Sequence, residues 1–432
     1  MHFGGSNMLE KIFVIGIFIL TYYFIIFGKF QRSAIVLFMG LIIAFTKFVE
    51  EMKIHKIGEF IDMNTIGLLL GMMIIVGVLK KTGFFQYAAI KVIKAGGKNL
   101  WRLILYISIL VAIFSAFLDN VTTILLFSPI LFLLLDTAEV NPTPFLFLMV
   151  ISSNIGGTAT MIGDPPNILV GSASGISFLR FMFFMAPPSI IALFVTLWLF
   201  KKFLPIPNVE KKLEKFSLMD PEKAITDKRL LKRVIWIFIG VILFFTLHET
   251  LDYEIATIAL AGATLAMIFS GDSFESISSS IEWDTIFFFI GLFMIAYALE
   301  EVGIVSLFSK GILMFSRNIL LLKIIFLWIS GLVSSFIGAV PTVSVMIPVV
   351  RDLVSKGFPE TLWFALALGA SFGGIGTMTG TASNIVGIGL LEGHIKRKIS
   401  YIEYLKVGLP VMLICNTIST LYIILLHTFM KG

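Results

Sequence analysis

The sequence predicts an all-α polytopic membrane protein, with about 10–12 transmembrane helices in two inverted-topology repeats, two re-entrant hairpins and two broken helices. Three observations carry that prediction. The chain is 58% hydrophobic and only 14% charged, with a mean hydropathy of +0.99, which leaves too little polar surface for a soluble protein. Apolar runs of spanning length recur along the whole chain. Polar, glycine-rich interruptions fall inside two of those runs, at matching places in the two halves.

The first apolar segment, from Lys11 to Gly28, has no preceding basic run and no small-residue cleavage pattern, so it reads as a retained helix and not as a signal peptide. Runs at 33–49 and 65–79 follow. Those at 101–118 and 121–135 are separated only by "LDNVTT" (118–123) and read as the arms of a hairpin over about 101–135. The run at 144–171 contains "SSNIGGTATMIGDPPNILVG" (152–171), which a continuous helix does not accommodate: glycines lower helix propensity and Pro165-Pro166 cannot continue the ladder. A run at 177–200 completes a first unit, 8–200. Residues 201–231 form a linker, and 201–233 carry ten Lys and Arg, which places that stretch in the cytoplasm by the positive-inside rule. The second unit, 232–430, repeats the order: runs at 232–248, 254–270 and 284–299, a hairpin at about 318–355 with tip "IGAVPT" (337–342), a broken helix at about 361–390 and a last run at 408–428.

The repeat is legible residue by residue. "FSAFLDNVTTILLFSPI" (114–130) lies over "VSSFIGAVPTVSVMIPV" (333–349), and "NIGGTATMIGDPPNI" (154–168) over "SFGGIGTMTGTASNI" (371–385). Asn64-Thr65 matches Asp284-Thr285, Gly83 matches Gly303, and "ISFLRF" (176–181) matches "ISYIEY" (399–404), all in one order. An odd number of crossings before the basic linker inverts the second copy, a layout of secondary transporters.

Non-helical backbone at mid-membrane survives only where it lines protein or a watered cavity. The two breaks and two hairpin tips therefore predict one solute site. In the first half it draws on Asp119, Asn120, Thr122, Thr123, Asn154, Gly156, Gly157, Thr158, Thr160, Asp164 and Asn167. In the second it draws on Thr342, Ser371, Gly373, Gly374, Thr377, Thr381, Ser383 and Asn384. Hydroxyls, amides and freed carbonyls can replace an ion's hydration shell, and half-helix N-termini can face an anion. Asp119 aligns with Gly338 and Asp164 with Thr381, so the first half holds both acids, suited to proton or cation handling. Helix capping is the plainer role open to each acid, close packing that of the glycines, and satisfying the preceding turn that of Thr122 and Thr123. No Lys or Arg lies in either break or tip, so an anion is expected to be held without a basic side chain.

Other chemistry is excluded or unsupported. The single Cys415 rules out a disulfide framework, and His2, His55, His248, His394 and His427 are too scattered for a metal site. There is no HExxH motif, and no Ser–His or Ser–Lys pair falls in the polar segments, so no enzyme is expected. The basic linker reads as a solvated loop and not as a nucleic-acid patch. No cofactor is expected beyond a sodium ion or proton as coupling ion.

At "FLDNVTT", "NIGGTATMIGDPPNI" and "GGIGTMTGTASN" the chain resembles the ion transporter superfamily, and within it the arsenite permease, CitM citrate transporter and P-protein group. That resemblance implies a scaffold domain and a transport domain, frequent dimers, and movement of elevator type. It also implies that Asn120, Thr122, the 156–167 segment and their second-half counterparts form substrate and cation sites. If sodium couples, Asn120, Asn154 and Asn167, with backbone carbonyls of both broken helices, are its expected ligands. Related dicarboxylate carriers place Ser-Asn-Thr at both tips, where this chain has Asp119-Asn120-Val121 and Gly338-Ala339-Val340. The expected function is secondary transport of a small inorganic or organic anion on a proton or sodium gradient. The expected setting is the plasma membrane, with lipid and a small ion as partners and a homodimer as assembly. A sodium/proton antiporter is the alternative and an ion channel a more distant one.

Overall fold

A computed structural model of the chain describes residues 7–429 except 29, 50–51, 205–206, 208, 215–218, 308–310 and 312–317. His2, parts of the linker and the last residue of the second unit lie outside the described residues. The first half runs α1 (Met8–Phe27), α2 (Arg32–Thr46), α3 (Met63–Lys81), α4 (Phe84–Gly96), α5 (Leu100–Ser115), α6 (Asn120–Ala138), α7 (Thr143–Thr158), α8 (Pro165–Ser174) and α9 (Phe178–Phe203). The second runs α10 (Lys228–Leu251), α11 (Ile255–Ser270), α12 (Trp283–Glu301), α13 (Ile319–Ile337), α14 (Ala339–Ser355), α15 (Thr361–Gly373), α16 (Ala382–Ile395) and α17 (Tyr401–Phe429). Eight of the described helices are long and apolar enough to span, and both hairpins contribute one arm to that set. The count falls below the expected crossings because α2 and α11, of 15 and 16 residues, and each half of a broken helix are too short on their own.

The helices begin where side chains can satisfy free amides. Asp62 accepts from Asn64 N at 3.0 Å and Thr65 N at 3.1 Å to start α3. Asp227 accepts from Arg229 N at 2.8 Å and Leu230 N at 2.9 Å to start α10. Sequence reading passed over α4, hidden in a lysine-bearing connection. Its signal is the helical spacing of Phe85, Ala89 and Ile93, which are all buried.

Packing is reciprocal between the halves. Helix α3 lies against α11, and α12 lies against α2; α6 meets α16, and α14 meets α8. The α3–α11 and α2–α12 crossings use glycine at aligned places. A Cβ on Gly71 would sit 2.6 Å from Ala259 C, and one on Gly291 would sit 2.5 Å from Val36 C, so neither crossing admits a side chain. Helices α7 and α15 are buried along almost their whole length and form the centre. The hairpins α5–α6 and α13–α14 pack on these two central helices.

Candidate functional site

Each break creates a local problem that the sequence solves with one asparagine. Helix α7 stops at Thr158 and the chain resumes helically at Pro165, leaving carbonyls without intrahelical partners. Asn167 Nδ2 donates to the carbonyls of Gly157 (3.4 Å), Thr158 (3.1 Å) and Thr160 (2.9 Å). Asn384 does the same at the second break, donating to the carbonyls of Gly374 (2.8 Å) and Thr377 (2.7 Å). The other end of each amide crosses to the opposite half. Asn167 Oδ1 accepts from Ser371 Oγ at 3.1 Å, and Asn384 Oδ1 accepts from Asn154 Nδ2 at 2.8 Å. Asn154 and Ser371 are aligned residues, so the halves brace one another's breaks by matching bonds.

The network then reaches the first hairpin tip. Asn154 Oδ1 accepts from Ser383 Oγ at 2.9 Å and from Asn120 Nδ2 at 3.4 Å. Asn120 Nδ2 also donates to Asp164 Oδ1 at 3.1 Å, while the Ser115 hydroxyl donates to Asn120 Oδ1. Asn120, Asn154, Asp164, Asn167, Ser371, Ser383 and Asn384 are all buried. Thr381 adds a hydroxyl 2.9 Å from that of Ser383.

Several expected ligands have other employment. The hydroxyls of Thr158, Thr123 and Thr342 donate to the carbonyls of Asn154 (2.8 Å), Asp119 (2.9 Å) and Gly338 (2.8 Å). Those of Thr160 and Thr377 donate to the carbonyls of Ala116 and Ser335, pinning each break to a hairpin arm. These protons are committed to backbone because burial leaves carbonyls no water. Gly156 and Gly373 belong to helix crossings: a Cβ would lie 2.5 Å from Ala112 Cα in one case and 2.7 Å from Gly331 Cα in the other. Gly157 does face the site, since a Cβ there would come within 2.8 Å of Gly163 O and 3.0 Å of Asn120 Nδ2. At Gly374 a Cβ would lie 3.3 Å from Gly380 O, across its own break.

The two acids part company. Asp119 caps α6, accepting from Thr122 N at 2.7 Å. Asp164 stands at the start of α8 but its side chain makes no capping bond: Pro165 and Pro166 carry no N–H, and Asn167 N donates to the Asp164 carbonyl at 2.9 Å. Its carboxyl turns to Asn120, and its second oxygen, Oδ2, is buried with no hydrogen-bond partner among the described residues.

Tips and breaks meet at a cavity of about 160 Å³. Six helix N-termini reach its wall: Arg32 of α2, Asn120 of α6, Pro165 of α8, Asp284 of α12, Ala339 of α14 and Ala382 of α16. The expectation of a site without a basic side chain is therefore corrected, since Arg32 lines it from outside the tips and breaks. Glu282 and Asp284 line it too. Asp284 accepts from Gln31 Nε2 at 2.6 Å and from the Ser33 hydroxyl. Glu282 accepts from Thr285 Oγ1 at 3.1 Å and, across to the hairpin, from Thr122 Oγ1 at 3.5 Å. The signal that could have found the acids was the repeat itself, in which Asp284-Thr285 already stood opposite Asn64-Thr65. Arg32 had only its place at the head of an apolar run.

A family model described as citrate transporter matches residues 22–369. The chain belongs to the citrate transporter family. It is 36% identical to an uncharacterized transporter of Mycobacterium tuberculosis over 378 residues, covering 85% of this chain and 88% of that one. It is 30% identical to the P protein of Mus musculus over 461 residues, covering 85% of this chain but 54% of the P protein. The crystal structure of the Alcanivorax borkumensis YdaH transporter, described as having an unusual topology, shares the fold. Its TM-score is 0.61 at 14% identity, over 97% of this chain and 98% of that one. The family and the apolar helices together make this a multi-pass membrane transporter.

Proposed function

We propose that this family member is a secondary active transporter of a small inorganic or organic anion, of arsenite- or citrate-permease type, driven by a proton or sodium gradient. The ring of six helix N-termini, with Arg32, around one cavity carries this reading. Each N-terminus contributes roughly half a positive charge, so the ring favours an anion with a single guanidinium present. The cavity is below the roughly 300–1,000 Å³ of sites for drug-sized ligands, which suits an ion of few atoms. An anion entering alone would also face Asp119, Asp164, Glu282 and Asp284. A co-bound cation or proton offsets that repulsion and couples the two fluxes. Asp164 Oδ2 is the acceptor for it; for sodium, Asn120, Asn154 and Asn167 with carbonyls of both breaks complete the ligand set.

Alternating access of elevator type would move α5–α9 and α13–α17 against α1–α3 and α10–α12. Few polar contacts bridge the two groups at the cavity: Thr122 to Glu282, and Tyr22 Oη to Pro341 O at 3.1 Å. The assignment includes a plasma-membrane homodimer with no enzymatic activity, built from repeats 8–200 and 232–430, with the linker 201–231 in the cytoplasm. Four carboxyls against one guanidinium favour a second reading, sodium/proton antiport. Proteoliposome flux separates the two. Anion uptake that rises with an imposed proton or sodium gradient supports the first. Sodium exchange driven by a pH gradient with no anion moving replaces it with the second.

A further inference from the structure

We propose that the groove between α10 and α11 binds one anionic phospholipid, its acyl chains along the helices and its phosphate at Arg233. The groove encloses about 620 Å³ and is lined by Trp236, Phe244, Leu265 and Phe269 among other apolar side chains. Its floor is made of small residues, Gly240 from one helix and Gly262 from the other. A Cβ on Gly240 would meet nothing within 4 Å, so the slot is open there, while at Gly262 a Cβ would collide with Val241 Cγ2 and the helices close its floor. In a bilayer such a slot is filled by hydrocarbon.

At one end the lining turns cationic. The Arg233 guanidinium lies 5.2 Å over the Phe269 ring, a contact that fixes its position and leaves its N–H donors uncommitted. Arg229, one turn earlier on the same face, and Lys232 are exposed beside it. Among the described residues none of the three has an acidic partner within salt-bridge distance. A guanidinium and a phosphodiester match in bidentate geometry, and a basic cluster at a helix end recruits anionic headgroups. A second copy of this chain is the less suitable occupant. About a twofold axis along the membrane normal it would bring the same three cations to the same depth, facing their own kind.

The test uses the purified full-length protein in non-ionic detergent, titrated with dioleoyl phosphatidylglycerol or with dioleoyl phosphatidylcholine and followed by native mass spectrometry. One phosphatidylglycerol should be retained, about fivefold more tightly than phosphatidylcholine for each basic side chain engaged. Arg233→Ala, at an exposed position, should cut that preference about fivefold, and an unchanged preference overturns the proposal. Gly240→Phe should fill the slot and remove both lipids. Equal retention of the two lipids by the unaltered protein overturns the proposal, as does undiminished phosphatidylglycerol binding by Gly240→Phe. So does a species of twice the monomer mass that Gly240→Phe alone dissociates, which would make the groove a subunit contact.

Discussion

Asn154 is the residue on which the two halves most directly depend, and Asn154→Ala measures that dependence. The substitution removes the bond to Asn384 Oδ1 (2.8 Å), the bond from Ser383 Oγ (2.9 Å) and a longer one from Asn120 (3.4 Å). Ser383 keeps a partner in Thr381, and Asn384 Nδ2 keeps its two carbonyls. Asn384 Oδ1 is left buried without its donor. Two short bonds at about 0.5–1.5 kcal/mol each, with an orphaned acceptor at about 1–3 kcal/mol, give a loss of roughly 2–6 kcal/mol. Interhelical polar pairs inside membranes run weaker, averaging about 0.6 and reaching about 1.7 kcal/mol. The pairwise part, isolated by a cycle with Asn384→Ala, should therefore be about 0.5–1.5 kcal/mol. Reversible unfolding in mixed micelles reads both numbers. Strictly additive losses from Asn154→Ala and Asn384→Ala would refute the idea that these asparagines brace one another across the halves.

Four further outcomes are expected. Gly157→Ala pushes a methyl to 2.8 Å from the Gly163 carbonyl, which should cost about 1–3 kcal/mol and abolish flux while the protein remains extractable and monodisperse by gel filtration. Asp119→Asn keeps a capping oxygen for Thr122 N, since Asn caps as well as Asp; stability should hold in a melting assay while gradient-driven transport is lost. Arg32→Gln removes the one lining guanidinium among the described residues, and losing a charge-assisted bond of about 1.5–3 kcal/mol should weaken anion affinity by roughly tenfold or more in uptake assays. Lys98 bonds Glu214 at 2.5 Å, and that hydrogen bond, with the lysine charge, holds the Glu214 carboxyl below the ordinary glutamate range. The tie is thus present at neutral pH and lost as pH falls through the lowered value. Hydrogen exchange at 210–213 should rise on acidification, and Glu214→Gln should remove that dependence.

The breaks and tips were readable because glycine, proline and asparagine in mid-membrane have few structural uses, and their recurrence at a constant offset is improbable by chance. Asn167 and Asn384 stood out for that reason, and the structure has both donate to aligned carbonyls, those of Gly157 and Thr160 and of Gly374 and Thr377. What the string of letters hid was partnership at a distance. Glu282 and Asp284 look like ordinary residues at a helix start, and only folding carries them to a tip some 160 positions away. Arg32 was hidden the same way, as a cation at a membrane edge. The threonines misled in the opposite direction. A buried hydroxyl in a polar stretch resembles a ligand, yet sequence does not reveal that a carbonyl one turn back already holds its proton. The proline pair concealed a similar point: with no N–H at the first two positions of α8 and Asn167 N held by the Asp164 carbonyl, that carboxyl is left for other work.

The crossed bonds of Asn154 and Ser371 also bear on how the two units can vary. Each unit closes its own break with its own asparagine, but the oxygen of that amide finds its donor only in the other unit. A substitution at Asn154 is therefore felt at the second break, and one at Ser371 at the first.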